Sequence, residues 1–83
     1  MKMTSKFKAE ELPYNINSIF ELPFVLTTSE YPNEKEELGL GKLIPDEYGF
    51  TVMPLDTQKF RKKYFAVHYF TFLLYTGYVR EVM

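Results

Sequence analysis

The chain has 83 residues, 46% of them hydrophobic and 25% charged, which is enough for one domain, too short for two and too apolar for a disordered chain. Cysteine is absent, which excludes disulfides, thiolate metal sites, iron–sulfur ligation and a cysteine nucleophile together. It also points to the cytoplasm, because small secreted domains usually need such staples. The formal net charge of −1 hides a segregation. Over residues 30–47 the acids Glu30, Glu34, Glu36, Glu37, Asp46 and Glu47 face only Lys35 and Lys42, whereas Lys59, Arg61, Lys62 and Lys63 form a basic cluster.

The first residues, Met1-Lys2-Met3-Thr4-Ser5-Lys6-Phe7-Lys8, have the positive start of a secretion signal without its apolar core. Residues 1–10 are read as disordered or weakly ordered. The chain favours Lys, Asn, Ile, Met, Phe and Tyr, whose codons are A/T-rich, and this suits a bacteriophage or another low-GC source, with the host cytoplasm as the place of action. Glu11-Leu12-Pro13-Tyr14 is echoed by Glu21-Leu22-Pro23-Phe24, but two copies of four residues do not make a repeat protein.

Asn15 is placed to cap a short helix through Ile16, Ile19 and Phe20, with Tyr14 and Ile19 as a hydrophobic staple and Pro23 as its stop. Residues 24–28 are β-branched and aromatic and predict a strand, closed by a turn over residues 29–33. Asn33 then caps a brief turn that Gly39 ends. Gly39-Leu40-Gly41-Lys42 has glycines and a lysine but lacks the spacing and the hydroxyl residue of a phosphate loop, so it reads as loop with an edge strand. Tyr48, Phe50 and Val52 alternate with polar or small neighbours and predict a half-buried strand over residues 48–53.

Pro54-Leu55-Asp56 is the clearest boundary. Asp56 is a good N-cap, Leu55 and Phe60 stand at staple positions, and Gly77 is a natural stop, so a helix is expected over residues 57–76. The same residues are apolar on all sides and also suit a buried strand; helix is the favoured reading. Phe65, Val67, Phe70, Phe72, Leu73 and Leu74 are the expected core. The predicted fold is a small single α+β domain over residues 1–83, with short antiparallel strands packed on one long C-terminal helix.

No chemistry emerges from the polar residues. His68 is the only histidine, so it lacks a partner for a metal site or a nucleophile–base pair and reads as a core residue. Adjacent acids such as Glu36-Glu37 and Asp46-Glu47 diverge on either a helix or a strand, and neither pair presents two carboxylates to one substrate. No catalytic residue, metal or cofactor is expected, and the chain is not read as an enzyme.

The leading expectation is a non-catalytic protein-binding module, a phage-type effector or inhibitor of a host protein. It would act through Tyr31, Glu34, Glu36, Glu37, Asp46, Glu47 and Tyr48, with Tyr14, Tyr75 and Tyr78 as further anchors; self-association into a homo-oligomer fits the same aromatic density. The second expectation is single-stranded nucleic-acid binding through Lys59, Arg61, Lys62, Lys63 and Tyr64, with charge on phosphates and rings on bases. The third is membrane association through the apolar run 64–79, which is shorter than the roughly 20 residues a spanning helix requires.

Overall fold

A computed structural model describes residues 7–82 of the chain. Five antiparallel strands form one sheet in the order β4-β3-β2-β1-β5: β1 (Ile19–Val25), β2 (Glu36–Pro45), β3 (Gly49–Pro54), β4 (Lys63–Ala66) and β5 (Arg80–Glu81). One helix, α1 (Val67–Thr76), lies between β4 and β5, and a 3-10 turn, Ala9–Glu11, precedes the sheet. The α+β class and the single C-terminal helix agree with the sequence-based expectation.

The strands follow from a two-residue alternation. Phe20, Leu22 and Phe24 of β1 point inward and are fully buried, while Ile19, Glu21, Pro23 and Val25 lie on the other side. Phe50 and Val52 repeat the pattern on β3. The β2–β3 hairpin is tied by Asp46, whose carboxylate accepts from the amides of Tyr48 and Gly49, both at 3.1 Å.

On β2 the inward positions are Gly39, Gly41 and Leu43. A Cβ on Gly39 would lie 2.7 Å from the Phe60 ring, and one on Gly41 2.7 Å from the Phe24 ring. The aromatic rings therefore occupy the volume that β2 side chains would otherwise fill. At one end of this layer Phe20, Phe50, Phe70 and Tyr14 meet edge to face, with ring centroids 5.4–6.4 Å apart. Phe7 adds a further edge contact to Phe50.

The sheet curls until its two ends meet on β1. β5 pairs with Phe20 and Glu21, and residues 59–61, which lead into β4, pair with the far end of β1. There the Lys59 carbonyl accepts from the Thr27 amide and the Arg61 amide donates to the Val25 carbonyl. Pro23 sits between the two pairings. Its backbone faces a gap that no strand fills among the described residues, a place where a missing N–H costs no ladder bond.

Several sequence-based expectations are corrected. The helix predicted over residues 57–76 starts only at Val67. Asp56 does accept from two amides, those of Gln58 and Lys59, but it closes a turn rather than opening a helix. Leu55 is exposed and Phe60 buried, so they form no staple. Because the segment before Val67 must pair with β1 and β3, sheet contacts override its helical signals. Gly77 does end the helix, with φ +84° and its amide bonded to the Leu74 carbonyl.

In the expected core, Val67, Phe70 and Leu73 are buried, Phe65 and Leu74 are half-buried, and Phe72 is 58% exposed. The first strand covers 19–25 rather than 24–28, the helix expected after Asn15 is a turn leading into it, and the turn expected from Asn33 is the start of β2. The strand expected at 48–53 is β3, shifted by one residue. Of the ten N-terminal residues read as disordered or weakly ordered, 1–6 lie outside the described residues, and Ala9 and Glu10 belong to the 3-10 turn Ala9–Glu11.

Candidate functional site

The acidic and basic clusters, proposed from sequence as separate binding surfaces, face each other. Where the start of β2 meets the lead-in to β4, Lys59 pairs with Glu37 at 3.1 Å, Arg61 with Glu34 at 3.3 Å, and Lys63 with Glu36 at 3.6 Å. Each exposed pair adds little stability, about 0–1 kcal/mol. Their larger effect is on charge, since six of the ions offered for partners are neutralised within the chain. Lys62 is the member of the basic cluster that forms no ion pair among the described residues.

Two of these cations also close the barrel. The Arg61 guanidinium donates to the carbonyls of Ser29 at 2.7 Å and Thr27 at 3.3 Å, holding the turn that carries Tyr31. Lys63, largely buried, donates from Nζ to the Pro23 carbonyl at 2.8 Å and lies 5.6 Å from the ring centroids of both Phe65 and Tyr78. It fills the gap on β1 at Pro23, satisfying a carbonyl that no strand reaches among the described residues.

The remaining predicted residues scatter. Tyr31 stands 87% exposed on the turn after β1; Glu47 and Tyr48 are exposed on the β2–β3 hairpin, where Asp46 is engaged in the turn. Tyr64 is half exposed, and lost hydration followed by the Asp46 carboxylate beside its hydroxyl raises its pKa. Tyr14 is buried rather than a surface anchor. Burial raises its pKa, and the hydrogen bond to the Thr71 hydroxyl at 3.0 Å offsets part of that rise. His68 is exposed on the helix rather than in the core. The run 64–79 is divided among β4, α1 and the turn after it, and among the described residues no helix is long and apolar enough to cross a membrane.

The stretch from Gly39, expected as loop with an edge strand, belongs to β2, the central strand, and its outer side carries a further surface. Leu38, Leu40 and Ile44 of β2 are 65%, 41% and 47% exposed, although their strand neighbours Gly39, Gly41 and Leu43 point inward. Leu55 continues the layer, since its amide bonds to the Leu40 carbonyl and its side chain is also exposed. Pro23 stands opposite Leu38, and Met53 and Ile19 stand on either side of Lys42. The result is a largely aliphatic surface with Lys42 inside it and the Glu21–Arg80 pair beside it, Glu21 standing opposite Leu40 between Ile19 and Pro23. Lys42 forms no ion pair among the described residues. The sequence signal is a two-residue alternation confined to Leu38-Gly39-Leu40-Gly41, and its glycines resemble a loop.

Among the described residues no group of three or more His, Asp or Glu side chains could hold a metal ion. The chain matches no protein-family model, and no curated protein or solved structure is similar to it. What the fold and the surface define among the described residues is a class: a small, partly closed antiparallel barrel with one capping helix and an exposed aliphatic sheet face.

Proposed function

We propose that the chain is a non-catalytic protein-binding module whose contact surface is the outer face of the sheet. The carrying observation is the inversion on β2, where glycines face in and Leu38, Leu40 and Ile44 face out. The inward glycines are explained by the rings of Phe24 and Phe60, but nothing in the described chain covers the outward leucines. A contiguous aliphatic face of this kind is a characteristic protein contact surface.

Lys42 selects the chemistry of the partner. An ammonium group without an ion pair, set between Ile19, Leu40, Ile44 and Met53, is matched by an aliphatic protein surface with a carboxylate near its centre. Occupying such a surface on a host protein is how a small effector or inhibitor acts, and we propose that role for this chain. The acidic stretch and the basic cluster contribute less than the sequence suggests, because they neutralise each other. The same pairing removes most of the charge on which a nucleic-acid reading would rest.

The test uses a protein captured from lysate, purified, and titrated calorimetrically against the wild-type chain and three variants. Leu38→Asp with Leu40→Asp is expected to weaken binding at least about 100-fold, and Lys42→Glu about tenfold, with circular dichroism unchanged. Glu34→Gln with Glu37→Gln should stay within about threefold of wild type. Full affinity in the outer-face variants would overturn the reading.

A further inference from the structure

The opposite side of the molecule carries a second unpartnered surface of different character. Helix α1 (Val67–Thr76) contains no Asp, Glu, Lys or Arg. Val67, Phe70 and Leu73 are buried, and the Thr71 hydroxyl is held by Tyr14 and the Val67 carbonyl. At about 100° per residue, Tyr75, His68, Phe72, Thr76 and Tyr69 follow one another across about 120° of the outward side. Tyr69, Phe72 and Tyr75 are 54%, 58% and 77% exposed. The rings of Tyr69 and Phe72 stack at 6.4 Å with an interplanar angle of 18°, and Phe65 packs against Tyr69 at 5.9 Å. These rings are already ordered against one another, so little side-chain freedom is left to lose on contact.

We infer that this helix face pairs with its counterpart on a second copy of the chain. A two-fold contact sets each side chain against itself or its near neighbours, so a face of one charge repels itself and an uncharged face does not. The outward side of α1 is such a face, and the chain's net charge of −1 leaves the approach of two copies almost unopposed. Crossing antiparallel, the two helices also oppose their dipoles. The outer sheet face differs in this respect, because Lys42 would meet Lys42. That face requires a partner unlike itself, whereas the helix face does not.

Three rings exposed to this degree present roughly 400 Å² of aromatic surface per copy. This approaches the lower end of specific interfaces, about 600 Å² per partner, once flanking atoms are included. The expected dimer is therefore concentration-dependent, with a dissociation constant on the order of 10–100 µM. It leaves the outer sheet faces of both copies free and does not depend on the partner proposed for them.

Sedimentation equilibrium on the full chain, from low to high micromolar concentration, tests the inference. The wild-type mass is expected to rise from that of the 9.9 kDa chain to twice it and stop there. Phe72 lies at the centre of the stripe and therefore nearest the two-fold axis. Phe72→Glu and Phe72→Lys should each remain monomeric, and an equimolar mixture should regain the dimer because the new charges meet across the axis. Tyr75→Lys, at the most exposed ring, should weaken the dimer at least about tenfold with the melting curve unchanged. A wild-type monomer at every concentration overturns the inference. So does dimerisation of the separate Phe72 variants, a mixture that stays monomeric, or growth beyond the dimer. Partner titration with the monomeric Phe72→Glu variant reads the outer sheet face independently, so failure at one surface is not mistaken for failure at the other.

Discussion

Along β2, Gly39 and Gly41 face the interior under the rings of Phe24 and Phe60, while Leu38 and Leu40, their immediate neighbours, face solvent. By hydrophobicity alone the two sides would be exchanged. Burial here is decided by volume. β1 and the approach to β4 supply phenylalanines to the interior, and the strand they cover can contribute only backbone there. The leucines are then left outside, where they do little for the fold and are available for contact. A residue's apolarity therefore does not reveal its role in this sheet; the size of whatever lies across from it does.

The sharpest way to break the comparison is to fill the glycine positions. Gly41→Val places branched carbons where the Phe24 ring and the Met53 carbonyl already lie, within 3.0 Å of the first added carbon, and should cost about 3 kcal/mol or more in urea unfolding. Leu40→Thr, one residue away, is expected to change stability by no more than about 0.5 kcal/mol. Equal effects at the two sites would refute the assignment of inner and outer faces.

A smaller effect separates charge from closure. Lys63→Met keeps much of the stem over Phe65 and Tyr78 but leaves the Pro23 carbonyl unsatisfied, with an expected loss of about 1–2 kcal/mol. Lys62→Met, an exposed change in the same cluster, should be close to neutral. If both prove equally mild, Lys63 has no special part in closing the barrel.

The smallest effect concerns the tyrosines. Tyr14 is buried with its pKa raised above the ordinary value of 10.0, so above pH 10 the unfolded chain releases this proton before the folded one does. Its contribution to stability is complete below that pH and declines as pH rises through the folded value. Melting temperature measured from pH 9 to 11 should therefore fall more steeply for wild type than for Tyr14→Phe. Parallel curves would place the alkaline loss on other residues.

Much of this fold was legible. Alternation in Phe50 and Val52 marked β3, and Gly77 marked the end of the helix, because both depend on neighbours only a few residues away. The start of the helix is not legible, for the opposite reason. Asp56 has the chemistry of an N-cap, but residues 59–61 bond to β1, more than thirty positions earlier in the chain, and no local pattern announces that pairing. The candidate site was hidden in the same way. Glu34, Glu36 and Glu37 look like free acids until Lys59, Arg61 and Lys63 are folded against them.

The repeated Glu-Leu-Pro-aromatic segment marks the boundary between the two kinds of information. Composition, charge and short-range alternation by themselves determined a small α+β chain rich in aromatic residues, with neither cysteine nor a paired histidine. They placed Tyr14 among the surface anchors and Phe24 in a strand, although the two residues are alike in character and both are buried. Only the tertiary structure decided that the first copy lies in the approach to the sheet while the second runs through β1. It likewise decided that the leucines of β2 face out and the opposite charges cancel. Burial and ion pairing depend on which distant segments share a space, and that is settled when the strands close on β1.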